Sequence, residues 1–391
     1  MGKEPDSKAQ TISTQVAGKN APSIKAAVSR RRFLEGGMLG LGSALLASSP
    51  LALHAQQLEP FTPPPNSLSQ GRNLAPENEK PSVDFTDEMR EYVIALSRWA
   101  KSYRSDFAII AWNALELTEF LETTLFAARG TAEPARNYLR ALDGIMVDAP
   151  FYGYEKYGEA TNSEETKYIL GYLERLKYEG LKYFVVDYTN KWSDMQTARQ
   201  QISAYDPLYY GAPPPGMQLS SLAKVPNTPI GSNPHVVDDI RQSKNFAIVL
   251  DSSPYGTKEA YLDALLDTNY DTLIIDPFHR GTIPLTYDDM TRLRYKKTGT
   301  PRTLLAYINI ATAETYRYYW KSSWRPGNPS FLSEGNLLAR WGQEHHVHYW
   351  TREWQSMIYG SEGAYLGGIM KLGFDGVLLG GLDEYTWWQD Y

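Results

Sequence analysis

The chain has 391 residues, a net charge of −6, 10 Trp, 28 Tyr and no cysteine. No Lys/Arg-rich run occurs outside the N-terminal 55 residues, which argues against a nucleic-acid-binding surface. Disulfides are excluded, and a domain of this size with a full apolar core needs none.

The N-terminus carries Ser29-Arg30-Arg31-Arg32-Phe33-Leu34, then a short run of small and apolar residues from Gly36 to Ala47, then Leu53-His54-Ala55. Charge, short apolar region and small residues form the pattern of a removable signal, and the arginines beside Phe-Leu give it a twin-arginine character. Residues 1–55 are therefore expected to direct export to the periplasm or beyond. The run is too short and too rich in Gly and Ser for an anchor helix, so no stable membrane span is expected after removal. Residues 56–82 hold Pro60, Pro63, Pro64, Pro65, Pro76 and Pro81 among polar residues, which predicts an extended linker.

From residue 83 to 391 the period alternates between helical and strand-like. Phe85–Arg104 places Met89, Tyr92, Val93, Leu96 and Trp99 on one helical face. Continuous apolar runs at 107–111, 144–147, 183–186, 246–250, 273–275, 304–308, 347–349 and 377–379 predict buried parallel strands, with Pro207–Tyr210 as a weaker one. Helices are predicted between them, over 115–129, 132–142, 164–179, 198–202, 258–266, 287–295 and 352–372. The stretch from Pro213 to Asn233 reads as a long Pro/Gly/Ser-rich loop, and no helical pattern follows the last strand. Strand–helix alternation on this scale predicts an α/β fold, a single-domain (β/α)₈ barrel.

Polar residues follow the apolar runs: Asn113, Asp148, Asp187, Asp251, Asp276, Asn309 and, slightly later, Glu314. In such a barrel these positions form the catalytic face. Converging acids with aromatic neighbours and no cofactor-binding motif suggest glycoside hydrolysis, in which two carboxyls act as acid and as base or nucleophile. Each acid taken singly also suits a helix cap or a loop hydrogen bond. His346 and His348 have the spacing of two ligands on one strand face, but they precede the strand's end, so neither a metal nor a cofactor is expected.

Several segments resemble the endo-α-1,4-polygalactosaminidase family, glycoside hydrolase family 114. They include Leu273–Asp276, Ala306–Ile310 running into Ala313–Trp320, Tyr349-Trp350, and Gly373–Val377 with Asp383 and Tyr385. Phe107–Asn113, Asp143–Gly153 and Val185–Tyr188 resemble it too, so most of residues 85–391 is covered. The resemblance implies a TIM barrel acting on galactosamine-rich polysaccharide. Asp276 with Glu314 or Asp251 would be catalytic; Tyr307, Arg317, Trp320, Tyr349, Trp350, Asp148, Asp187 and Asp383 would contact substrate. Two departures accompany it. The family's segment order is exchanged here, as in a circular permutation. Thr312, Thr351 and Gly380 also stand where the family pattern has acids, and neither Thr nor Gly can transfer a proton near neutral pH. A barrel that binds carbohydrate without cleaving it is the alternative expectation.

Overall fold

The computed structural model describes residues 83–120, 133–335 and 343–391. The expected leader and linker, and most of the helix expected over 115–129, lie outside these residues. What is described of that helix is a 3₁₀ turn, Leu115–Thr118, leading into Glu119–Phe120, which pairs with Glu133–Pro134.

Eight parallel strands build one sheet: β1 (Ala108–Trp112), β2 (Gly144–Asp148), β3 (Lys182–Asp187), β4 (Leu208–Gly211), β5 (Phe246–Val249), β6 (Thr272–Ile275), β7 (Thr303–Asn309) and β8 (Gly376–Gly380). Nearly all their residues are buried, because helices cover one face and the barrel interior the other. Around them run α1 (Phe85–Tyr103), α2 (Arg136–Ala141), α3 (Ser163–Leu176), α4 (Trp192–Ile202), α5 (Lys258–Leu266), α6 (Tyr287–Leu293), α7 (Arg352–Ile358), α8 (Tyr365–Leu372) and α9 (Glu384–Asp390).

Hydrogen-bonded neighbours follow the order β4-β3-β2-β1-β8-β7-β6-β5. The last strand thus pairs with the first, from Ala108 opposite Gly376 to Ala111 opposite Leu379. The fold is a mixed α/β, nearly closed eight-stranded parallel barrel. Its seam lies between β4 and β5, where side chains replace the ladder. Phe246 meets Phe184 at 5.1 Å and Tyr210 at 5.8 Å between ring centroids. The loop after β4 lends a further bond, since the Leu250 N–H donates to the Leu219 carbonyl at 2.8 Å.

Helix α1 shows why the local sequence folds as it does. The Asp84 side chain accepts the Asp87 N–H at 3.0 Å and caps the first turn. Met89, Tyr92, Val93, Leu96 and Ala100 then recur every three or four residues, and all are buried. At the far end the Arg104 guanidinium donates to the Phe374 carbonyl at 2.7 Å, tying the helix to the entry of β8.

Three sequence expectations are corrected. Residues 347–349 are not a barrel strand; the weaker candidate, now Leu208–Gly211, is, with every residue in register on β3. The polar segment just before Val347, Glu344–His346, instead pairs antiparallel with Thr312–Glu314 as a ribbon on the β7–β8 connection. The helix expected over 352–372 divides into α7 and α8, because Gly360 adopts φ 102° between them, a conformation that interrupts a helix. The chain end is not bare: α9 packs on α1, and the Gln389 amide donates to the Thr86 hydroxyl at 2.8 Å.

At the N-terminal face, acids that immediately precede strands knit the barrel floor. The Asp143 carboxylate accepts the Ile109 N–H at 2.9 Å, and Asp375 accepts the Leu304 N–H at 2.8 Å while pairing with Arg294. Asp271 and Lys296 form a fully buried pair at 2.9 Å. Asp375, within the segment Gly373–Val377, therefore belongs to the floor. A groove of about 210 Å³ between α6 and α8, lined by Tyr287, Tyr295 and Arg294, lies beside that ion pair and is no part of the opposite mouth. Among the described residues no helix is long and apolar enough to cross a membrane.

Candidate active site

The mouth at the strand C-termini holds two groups of acids. The first centres on Arg317, only 3% exposed. Its two terminal nitrogens donate to the two Asp276 oxygens at 2.8 and 2.7 Å. Its Nε donates to Glu314 at 2.5 Å, and the Tyr316 hydroxyl donates to the other Glu314 oxygen at 2.5 Å. The rings of Tyr316, Phe278 and Tyr365 surround the guanidinium at 5.0, 5.5 and 6.0 Å. Burial pushes the Asp276 carboxyl up, and the adjacent Arg317 opposes it. Asp276 also accepts the Phe278 N–H at 2.8 Å, which leaves neither oxygen without a donor. Asp276, Glu314 and Arg317 are thus brought together, but as a closed, charge-compensated clamp.

The neighbouring ribbon extends this group. The Thr312 hydroxyl donates to Glu344 at 3.1 Å, so a carboxylate from the facing strand stands beside the position where the family pattern has an acid. His346 Nδ1 bonds Glu384 at 2.6 Å, and its ring stacks on Trp387 at 3.7 Å. Trp320 is half-buried and stacks on His345 at 5.1 Å. Tyr349 is fully buried and donates to the Phe85 carbonyl at 2.6 Å, while Trp350 packs on Phe85 at 4.9 Å. Both sit in the packing that joins α1 to the chain end. Among the described residues no three His, Asp or Glu side chains form a group able to hold a metal ion.

The second group lies at the ends of β1, β2 and β3. Asp187 is fully buried; it accepts N–H bonds from Phe151 at 3.0 Å and Tyr152 at 2.9 Å, and the Tyr209 hydroxyl at 2.9 Å. Burial pushes its carboxyl up to about 7, with the neighbouring Asp148 adding to the rise and the three hydrogen bonds opposing it. Asp148 is half-buried and accepts the Tyr188 hydroxyl at 3.0 Å, and its own N–H donates to the Asn113 side chain at 3.3 Å. No ion pair engages Asp148 among the described residues. Backbone strain concentrates at this corner: Asn113, Ala114 and Ala149 have φ of 56°, 49° and 52°.

The remaining predicted positions are separate. Asp251, after β5, accepts the Ser253 N–H at 2.9 Å in a local turn. Asp383 precedes α9 without capping it. Tyr307, on β7, meets Trp112 edge-on at 5.7 Å and presses against Gly380. Sequence reading missed Trp112, Tyr188, Tyr209 and Glu344. Tyr188 directly follows β3 and Tyr209 lies within β4, and the hydroxyl of each meets the acid at the end of the preceding strand.

No family model matches the chain. It is similar to an uncharacterized protein of Methanocaldococcus jannaschii, 30% identical over 160 residues, covering 39% of this chain and 44% of that protein. An uncharacterized protein of Thermotoga maritima is 36% identical over 84 residues, 22% of this chain and 24% of that protein. One of Deinococcus radiodurans is 30% identical over 130 residues, 33% of this chain and 39% of that protein. The chain spans less than half the length of each of these curated relatives.

Proposed function

We propose that this chain is an exported, single-domain (β/α)₈ barrel of glycoside hydrolase type that acts on galactosamine-type polysaccharide, with Asp148 rather than Asp276 as the carboxylate at the sugar. One observation carries the reading: Asp148 and Asp187 are neighbouring carboxyls in opposed environments. Burial pushes the Asp187 carboxyl up to about 7, while Asp148 is half-buried and joined to no cation among the described residues. A carboxylate at a strand C-terminus that carries no cation is placed to serve as acid or base at a sugar. Asp187 is enclosed and does not reach the mouth, so its part is electrostatic, through its proximity to Asp148; Asp251 and Asp383 are further half-buried acids on the strand-end loops. The permuted order is compatible with the seam, since the family's own chain ends would fall between Tyr210 and Phe246.

The test is release of reducing ends from a galactosamine polymer. Asp148→Asn is expected to lower kcat by about 10²–10⁴, the usual worth of a positioned acid or base. Turnover equal to wild type would overturn the assignment.

A second reading, a carbohydrate-binding barrel without turnover, is favoured by the Arg317 clamp, which occupies Asp276 and Glu314. It predicts saturable oligosaccharide binding with no reducing ends released by the wild type.

A further inference from the structure

The β1–β2 corner carries one polar group that the acid pair does not use. Trp112 ends β1, is 8% exposed, and its indole Nε1 is buried with no hydrogen-bond partner among the described residues. Several tyrosine hydroxyls are also unpartnered, but a hydroxyl rotates to find an acceptor, whereas an indole N–H is fixed by its ring; the Trp388 indole shares this state, but in the packing of α9 rather than at a strand end. The Trp112 ring is itself held. Tyr307 meets it edge-on at 78°, and Tyr307 has room to do so only because residue 380 has no side chain. Directly after Trp112, Asn113 and Ala114 take left-handed backbone conformations, and the Asn113 side chain accepts the Asp148 N–H. A rigid, dry donor without a partner, adjoining strained backbone and the available carboxylate, is a group in want of an acceptor.

Resting on the carbohydrate reading above, we infer that Trp112 is a ligand-reading residue whose indole N–H donates to a hydroxyl oxygen of the sugar unit held beside Asp148. The acceptor is uncharged, because the carboxylate at this corner disfavours an anion. Nearby aromatic edges suit the apolar face of a pyranose ring.

Trp112→Phe tests this, since it keeps an aromatic ring while removing the donor together with part of the indole's volume. Affinity of the full chain for a galactosamine oligosaccharide, by calorimetry, is expected to fall about three- to tenfold, the worth of one neutral hydrogen bond. The thermal midpoint of the unliganded protein is expected to fall only modestly, because relief of an unpartnered buried donor offsets part of the cost of the smaller ring. Unchanged affinity, or a lowered midpoint with unchanged affinity, would overturn the inference and leave the carbohydrate reading standing. No binding of the oligosaccharide by the wild type would overturn both.

Discussion

A Cβ at position 380 would stand 2.6 Å from both Cε2 and the hydroxyl of Tyr307, closer than real Cβ contacts come. An acid at 380 and the present Tyr307 rotamer are therefore mutually exclusive, which gives the family-pattern departure at Gly380 a steric partner. Gly380→Asp alone is expected to cost about 1–3 kcal/mol of stability in urea titrations, as overpacking does. Combined with Tyr307→Ala, the loss is expected to be smaller than the sum of the two single losses; a double variant whose loss equals or exceeds that sum would refute the pairing. The departure at 380 was legible in the sequence, but its partner was not. Residues 307 and 380 lie on adjacent strands yet far apart in the chain, and only the register of Asn309 on Gly380 brings them together. The same holds for Asp276 and Glu314. Their places after β6 and β7 were legible, while the cation between them was seen only as a substrate contact. Three-residue spacing from Glu314 to Arg317 was the available clue.

Among the elements, the ribbon of Thr312–Glu314 with Glu344–His346 sets Glu314 opposite Glu344, a pairing of like charges that an antiparallel ladder disfavours. Arg317 is the nearby cation that makes this tolerable. Arg317 pairs with Glu314 and with Asp276, and removing it leaves those two buried carboxylates without their cation, so Arg317→Met is expected to destabilise the fold by about 3–5 kcal/mol in chemical denaturation. Arg317→Lys is expected to fall between, because an ammonium cannot reproduce the two-pronged bond to Asp276. A loss below about 1 kcal/mol for Arg317→Met would show that the clamp is not structural. This ribbon also explains the misread strand. Val347 and Tyr349 looked like a short buried strand by composition alone, yet the backbone before them is already committed to the ribbon. Leu208–Gly211 looked weaker because its tyrosines dilute the apolar run; those rings pack at the seam and at Asp187.

For the molecule as a whole, strand–helix alternation made the barrel legible, as the apolar runs and the observed strands largely coincide. Closure of the first strand on the last follows from the same order, since α1 covers the junction from one chain end and α9 from the other. What periodicity does not reveal is the charge state of the interior, and Asp187 gives that a global consequence. Burial pushes its folded-state carboxyl up to about 7, against an ordinary value of 3.8. Between those values the unfolded chain has released the proton and the native state has not, so the native state binds more protons and stability falls as pH rises. The decline spans about pH 4 to 7, flattens above it, and amounts to roughly 4 kcal/mol at most. Asp187→Asn removes the titration while leaving the paired carboxylates elsewhere unchanged. The unfolding free energy of wild type minus that of the variant is therefore expected to fall steadily from pH 4 to 7 and level off beyond. A difference that stays constant, or rises with pH, would mean that Asp187 is ionised in the native state and that its hydrogen bonds outweigh burial. Repeating the comparison in an Asp148→Asn background separates the two causes. Loss of the neighbouring charge is expected to move the end of the decline to lower pH without abolishing it, because burial is the larger contribution.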